Sequence, residues 1–153
     1  MTGVGIIDIK GDRVSPVYYG AIKAGSGEFT ERLGIILSGL QDLIRDYRPD
    51  EAAIETVFVA NTAASAIKLG QARGAAVCAA LSCELPVAEY SPRSVKQAIV
   101  GRGGADKTQV QHMVGLLLGI QGPIQNDAAD ALAVALCHQH TSHTLARMAT
   151  MGR

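Results

Sequence analysis

Residues 125–136, QNDAADALAVAL, place two carboxylates at the start of an otherwise apolar helix. Asp127 and Asp130 are three positions apart, so they lie on the same face of that helix. Asp127 has an ordinary explanation as an N-cap or first-turn acid that favours the helix dipole. Asp130 follows among alanines, where a carboxylate is costly unless it is paired, hydrogen-bonded or bound to a metal. The stretch therefore predicts an interior helix with an acidic site at its start.

The composition is that of a compact globular protein of 153 residues, a single-domain length, with 48% hydrophobic and 18% charged residues. The formal net charge is zero, so nucleic-acid binding would depend on local clusters of positive charge. Three cysteines without Cys-x-x-Cys spacing predict reduced, mostly buried thiols. The N-terminus has no signal-peptide pattern, and no apolar run is long enough to span a bilayer. We expect a cytoplasmic protein that does not enter a membrane.

The hydrophobic periodicity predicts an α/β protein with a hairpin at its start. A turn signal at Lys10-Gly11-Asp12 joins the first two strands, and the helices carry apolar residues at helical spacing. Alternation of later helices and strands favours a mixed sheet with helices packed on it. The predicted order is strands at 2–9 and 13–22, a helix at 30–47, a strand at 51–58, a helix at 61–81, a strand at 85–90, and helices at 92–100, 105–118 and 126–140.

A third unusual acid, Glu55, lies inside the predicted strand AAIETVF. Glutamate is depleted in strands, and a solvated edge position is the ordinary explanation. Three acids in small apolar surroundings nevertheless favour a site for Mg²⁺, which prefers oxygen ligands. Two such ions roughly 3.5–4 Å apart can clamp the attacking and leaving oxygens of a phosphoryl transfer. The acids thus predict metal-dependent phosphoryl chemistry.

Four segments, AIETVF, SAIKLGQARG, VKQAIVGRGGADKTQVQHMV and NDAADALAVA, resemble in order the RuvC family of crossover junction endodeoxyribonucleases. The resemblance runs from Thr2 to about His140 and implies a ribonuclease-H-like mixed sheet flanked by helices. It divides the chain into a nuclease domain at 1–140 and a polar tail at 141–153, which we expect to be frayed. It also implies a homodimer, two Mg²⁺ ions per active site that Mn²⁺ can replace, and paired nicking of four-way DNA junctions in recombination and repair. A branch-migration complex of the RuvA and RuvB type is the implied protein partner.

The resemblance also implies roles for individual residues. Metal ligands would be Glu55, Asp127 and Asp130, which match three of the four acids of the family. Lys107 would stabilise charge on the phosphate as a catalytic residue, and Lys96 would position the DNA strand. Phe58 matches an aromatic that stacks on bases, although a phenylalanine there is also ordinary core. The remaining candidates for DNA contact are Asn61, Arg102 and Arg73, the last of which is equally a candidate for an ion pair at the dimer interface.

A local excess of positive charge supports the DNA-binding hypothesis. Arg93, Lys96, Arg102 and Lys107 occur in a stretch in which Asp106 is the only acid. Such residues supply most phosphate contacts. A solvated helix face would have the same composition, so the charge pattern alone leaves both interpretations open.

The fourth acid of the family has no counterpart. In the family it lies on a first strand with an IDPG-like segment, whereas here Thr2-Gly3-Val4-Gly5 already matches the second strand. Asp8, in GIIDIKG, is a candidate replacement, but the resemblance places it on that next strand, near the hairpin turn. Either the recorded start is misplaced, which we expect, or the chain truly lacks a central strand and one metal ligand. In the second case the protein would be a junction-binding protein impaired in catalysis. An α/β dimer unrelated to DNA, with the acids as helix caps, is the third alternative.

Overall fold

The structure, a computed structural model, describes residues 1–56 and 61–152. Two strands and a helix are followed by alternating strands and helices, as the sequence predicts. The elements are β1 Thr2–Lys10, β2 Arg13–Ile22, α1 Phe29–Tyr47, β3 Ala52–Glu55, α2 Ala63–Ser82, β4 Val87–Tyr90, α3 Pro92–Val100, α4 Lys107–Leu118 and α5 Asn126–Met151.

The strands form two separate ladders. Strands β1 and β2 pair antiparallel with a bulge at Ile6 and Ile7, and Gly11 takes the positive φ of 61° that their tight turn requires. Strands β3 and β4 pair in parallel. Within the described residues, no backbone pairing joins β1 to β3. The expected single mixed sheet is therefore divided in two, because among residues 1–56 and 61–152 no strand lies between these two edges.

A cleft of about 1070 Å³ separates the two ladders. Its walls are formed by β1 on one side and β3 on the other, and α5 contributes a floor of small apolar side chains at Ala131, Val134 and Ala135. Asp127, Asp130 and Glu55 line the same cleft. The division of the sheet therefore places the unusual acids beside an open space.

Helix α5 is the central packing element of the fold. Leu132, Leu136 and Cys137 on this helix are fully buried, together with Val114 of α4. The helix lies tightly against β1: a Cβ atom at Gly3 would lie 1.9 Å from the Asp127 carbonyl oxygen, and one at Gly5 would lie 2.8 Å from the Leu132 amide nitrogen. Two glycines thus allow the backbone of the acidic stretch to contact the first strand.

The helix ends follow local capping chemistry. Ser91 accepts a hydrogen bond from the Ser94 amide and precedes a proline in the first turn of α3. Helix α4 begins at Lys107 rather than at Ala105, because Asp106 and Gln109 form a capping box there. Helix α5 extends past His140 to Met151. Residues 141–151 thus continue the helix, the hydroxyls of Thr141 and Thr144 bond back to carbonyls one turn earlier, and the predicted boundary at 140 falls inside α5.

Two further sequence predictions differ from the structure. Strand β3 ends at Glu55, and the predicted remainder of that strand, including Phe58, lies almost wholly outside the described residues. Of the three cysteines only Cys137 is buried, whereas Cys78 is exposed, so the expectation of mostly buried thiols was wrong. Cys78 lies on the outer face of α2, where the abundance of alanine hides the amphipathic pattern. In the part of the chain that the structure describes, no helix has both the length and the apolar character needed to cross a membrane.

Candidate active site

Glu55 is the last residue of β3 and is held by its backbone. The ladder with β4 continues past it, since the Thr56 amide donates to the Tyr90 carbonyl at 2.8 Å. On the other side, Nε of Arg73 donates to the Glu55 carbonyl at 3.1 Å. The Arg73 guanidinium also contacts the Glu89 carboxylate of β4. Arg73 therefore fastens α2 to the end of the strand that carries Glu55.

Asp127 and Asp130 lie in the first turns of α5. The N-cap position is Gln125, which makes no side-chain capping bond, so the explanation of Asp127 as an N-cap is wrong, although it remains a first-turn acid. Asp127 is half-buried against β1. Asp130, one turn on, is about half exposed, with 49% of its side chain accessible. Both acids line the cleft.

Lys107 forms an ion pair with Asp130. The Lys107 ammonium nitrogen lies 2.9 Å from Oδ2 of Asp130. The capping box of Asp106 and Gln109 fixes the start of α4, and Lys107 is the first residue of that helix. A backbone motif therefore positions the cation that faces the acidic helix.

The pKa of Glu55 shows which charges surround it. Burial raises the pKa of the Glu55 carboxyl above its usual value, and the neighbouring Asp130 carboxylate raises it further. The ammonium groups of Lys96 and Lys107 act in the opposite direction and lower this pKa. Glu55, Asp130, Lys96 and Lys107 are consequently neighbours in one electrostatic cluster, and the catalytic and binding roles that the resemblance implies for them stay predictions.

Asp127 does not lie close enough to Glu55 and Asp130 to form a three-ligand metal site with them in the described residues. Among residues 1–56 and 61–152, no three His, Cys, Asp or Glu side chains lie close enough together to hold an ion. The donor chemistry nevertheless fits Mg²⁺, because carboxylate oxygens are its preferred protein ligands. Glu55 and Asp130 fit such an ion by chemistry and by proximity, and the role of Asp127 stays a prediction.

Asp8 lies too far away to take the place of a missing acid. Gly3 contacts Asp127, and the five residue steps from Gly3 to Asp8 along β1 span about 17 Å at roughly 3.4 Å per residue. The Asp8 carboxylate is also paired with Lys10, at 3.0 Å. Asp8 is therefore a hairpin-end acid rather than a ligand at this site.

The residues that the resemblance implies for DNA contact differ in their surroundings. Arg102 and Asn61 are exposed, and the Arg93 side chain packs over Gly103, where a Cβ would lie 2.5 Å from Arg93 Cγ. Phe58 lies outside the described residues. Arg73 is engaged within the protein by its contacts with Glu55 and Glu89. The loop between α3 and α4 thus presents one exposed basic side chain, that of Arg102.

Sequence reasoning missed a polar contact made by His138 of α5. Nδ1 of His138 lies 2.7 Å from the Tyr90 hydroxyl, and Nε2 of the same ring contacts the Glu51 carboxylate. These bonds tie α5 to the last residue of β4 and to the residue that precedes β3. No local pattern in the sequence indicates this long-range contact.

Comparison with known proteins identifies a family model and curated relatives that match this chain. The family model described as crossover junction endodeoxyribonuclease RuvC matches residues 1–138. A protein of that name from Xanthomonas oryzae pv. oryzae is 57% identical over 145 residues, covering 94% of this chain and 83% of the relative. Another, from Methylococcus capsulatus, is 52% identical over 153 residues, covering 100% of this chain and 92% of the relative.

Solved structures of RuvC proteins match the fold of this chain. T. thermophilus RuvC in complex with Holliday junction substrate matches with a TM-score of 0.86 and 33% identity, covering 93% of this chain and 88% of that one. A second Thermus thermophilus RuvC structure gives a TM-score of 0.81 at the same identity and covers 93% of this chain and 87% of that one. The fold is thus that of a ribonuclease-H-like α/β nuclease. The chain belongs to the RuvC family of crossover junction endodeoxyribonucleases, which confirms the resemblance drawn from its motifs.

Proposed function

We propose that this protein resolves four-way DNA junctions by metal-dependent paired nicking in recombination and repair. The observation that carries the proposal is the cluster of Glu55, Asp130, Lys96 and Lys107, which combines oxygen ligands for a cation with ammonium groups for a phosphate. Membership of the RuvC family and the likeness to a RuvC bound to a Holliday junction support the choice of substrate.

Mg²⁺ is the proposed cofactor, with two ions per site and Mn²⁺ as a substitute. Glu55 and Asp130 would hold the metal, and Asp127 would join them. Bound ions would supply an activated water and would neutralise charge at the phosphorus. Lys107 neutralises part of the charge on Asp130 and lies where it would stabilise negative charge on a bound phosphate. Lys96, which lowers the pKa of Glu55 from nearby, would position the strand.

The DNA-binding surface that we propose extends from this cluster over Arg102 and Asn61, with Phe58 as a base-stacking residue. Exposed arginine and lysine side chains give affinity that falls with salt, whereas an aromatic stack adds about 1–3 kcal/mol per base. Arg73 is the weakest member of this set, because its guanidinium already contacts Glu55 and Glu89. Only the part of the Arg73 side chain that is exposed to solvent would be able to contact DNA.

A homodimer is the proposed assembly, with α2 at its interface. Three large apolar side chains of this helix are exposed, Ile67 at 62%, Leu69 at 49% and Leu81 at 57%. A two-fold dimer would present two sites to a two-fold junction. A branch-migration complex of the RuvA and RuvB type is proposed as a further partner from family membership alone, and the cytoplasmic location stays a prediction.

The decisive experiment is cleavage of a labelled four-way junction in Mg²⁺, with binding measured by gel shift in Ca²⁺. Glu55→Gln is the matched control, since it keeps the side-chain shape and removes the charge. We expect paired nicks that the control abolishes, while binding persists. Equal cleavage of linear duplex would contradict selectivity for junctions.

Binding without nicks is the second candidate function, that of a junction-binding protein. The absence of a three-acid metal group among the described residues favours it. The two candidates differ in one measurement, the appearance of paired nicks at saturating protein. Failure to bind the junction at all would contradict both.

A further inference from the structure

Another pocket, of about 370 Å³, lies between the first turns of α1 and α2. The described residues that line it include one aromatic side chain, Phe29, and two basic ones, Arg32 and Lys68, but no acid. The apolar part of the wall comes mainly from Leu33 and Ile36 of α1 and from Leu69 and Ala72 of α2. The volume falls within the range of roughly 300–1,000 Å³ that small-ligand sites occupy. An apolar wall with two cations suits an anion that carries a small apolar body.

The two basic side chains meet at the same aromatic ring. The guanidinium carbon of Arg32 lies 5.9 Å from the centroid of the Phe29 ring, and the ammonium nitrogen of Lys68 lies 6.0 Å from it. The ring attracts both cations, so side chains from two helices are held at one place. Among residues 1–56 and 61–152, neither cation forms an ion pair with a carboxylate. The positive charge of the pocket is therefore not neutralised from within the described protein.

Arg32 also has an unmet hydrogen bond. Its Nε atom is buried, and no atom of the described residues accepts a bond from it. Buried donors are normally bonded, and an unbonded donor on a charged group lowers stability. Phosphate and carboxylate oxygens are the acceptors that match the planar fork of a guanidinium. An anion bound beside Arg32 would supply the missing acceptor and offset its charge.

The starts of both helices add to the positive potential of the pocket, because the N-terminal end of a helix dipole is positive. The first turn of α2 contains no acid. In the first turn of α1, Oε2 of Glu31 would lie 2.8 Å from a Cβ at Gly27, and Glu31 does not line the pocket. Ser65, which does line it, accepts a hydrogen bond from the Thr62 hydroxyl at 2.9 Å. The proton of the Ser65 hydroxyl is therefore free to donate to a ligand.

We propose that this pocket binds the phosphate group of a phosphate ester, with Arg32 and Lys68 as cationic contacts and Ser65 as a hydroxyl donor. The apolar residues of α1 and α2 accommodate the body of the ester. Leu69 and Ala72 line both this pocket and the cleft, so the two spaces adjoin, although none of the acids of the cleft lines the pocket. Two sources carry this chemistry, a free nucleotide and a DNA strand. The second source rests on the proposed function, whereas the first does not.

The test follows the ¹H–¹⁵N NMR signal of Arg32 Nε while inorganic phosphate is added to the whole chain, at an ionic strength held constant with chloride and without divalent metal. Arg32→Lys removes this signal and so assigns it. We expect a shift that saturates, and Lys68→Gln should weaken the apparent affinity at least about tenfold, the loss of one charge-assisted hydrogen bond. Lys10→Gln, at the hairpin turn, is the matched control and should keep the affinity. A shift that never saturates, or equal affinities of the two variants, would overturn the proposal.

Two further probes distinguish the sources of the phosphate. For a free nucleotide, thymidine 5′-monophosphate should saturate the Arg32 signal at a lower concentration than inorganic phosphate does, and Lys68→Gln should leave junction binding in Ca²⁺ unchanged. For DNA, Lys68→Gln should weaken junction binding and reduce its salt slope by about one. A pocket that binds inorganic phosphate and fails both comparisons would overturn the assignment to phosphate esters. Failure of the unmodified chain to bind junctions would contradict the proposed function, whereas the phosphate titration tests the pocket alone.

Discussion

The Lys107 ammonium and the Asp130 carboxylate, 2.9 Å apart, join the first residue of α4 to the second turn of α5. Both side chains are about half exposed, at 56% and 49%, so water screens their attraction and the pair contributes little to folding. The same two groups also act on the pKa of Glu55, in opposite directions. The pair is consequently an electrostatic element of the site more than a structural one.

Lys107→Ala should lower the junction cleavage rate on the order of 10²–10³-fold, the usual loss for a group that stabilises transition-state charge. The free energy of unfolding should change by less than about 1 kcal/mol, because the pair is exposed. Single-turnover cleavage and urea unfolding measure the two effects. Lys107→Arg keeps the charge and is the control. A stability loss as large as the kinetic loss would mean that Lys107 is structural.

Glu55→Gln should stabilise the metal-free protein at neutral pH. The folded-state pKa of Glu55 lies above its ordinary value of 4.5, so the folded protein holds this proton more tightly than the unfolded chain does. Stability from this group is therefore full below the unfolded pKa and falls as pH rises through the folded pKa. The difference in unfolding free energy between Glu55→Gln and the unmodified chain should grow from pH 4 to pH 7, measured in a chelator. Glu84→Gln, outside the cleft, is the matched control for the loss of one surface carboxylate.

Arg73→Lys should separate positioning from DNA contact. Lysine can still pair with Glu89, but it lacks the planar fork that also bonds the Glu55 carbonyl. If Arg73 positions Glu55, cleavage should fall by about 10–100-fold, as for residues that orient metal ligands, while junction binding in Ca²⁺ keeps its affinity and salt dependence. If Arg73 instead contacts phosphate, Arg73→Ala will weaken binding and reduce the salt slope by about one.

Gly3→Ala should destabilise the fold by about 1–3 kcal/mol or more, because a Cβ would overlap the Asp127 carbonyl oxygen at 1.9 Å. Gly34→Ala is a matched control on the exposed face of α1, where a Cβ meets nothing within 4 Å. That change should instead stabilise the protein by about 0.5–1 kcal/mol, the gain of alanine over glycine in a helix. Thermal unfolding of both variants provides the test, and two changes of the same sign would contradict the close approach of α5 to β1.

Local patterns in the sequence were sufficient for most of the elements. Strand β2 and helix α3 were predicted with both ends correct. The acidic stretch began its helix at the predicted residue, Asn126. Each of these depends on capping, turn chemistry or periodicity over a few residues, which a sequence displays directly.

Such local patterns could not predict contacts between residues that are far apart in the sequence. The bond from Arg73 to the Glu55 carbonyl and the contact of His138 with Glu51 and Tyr90 join residues far apart in the chain. The motifs placed Glu55, Asp130, Lys96 and Lys107 in one site, and the structure brings these four together. The position of Asp127 depends on the distance between two ladders, and that distance follows from strand pairing rather than from any local signal.

The capping box at the start of α4 determines how DNA can approach. A helix N-terminus normally attracts phosphate through its free amides and its dipole. Here the Asp106 carboxylate already accepts from the Gln109 amide, and the Gln109 side chain accepts from the Asp106 amide. A phosphate would meet a carboxylate instead of open donors at this helix end. Contact with a DNA strand at this helix end would therefore depend on lysine and arginine side chains rather than on free backbone amides.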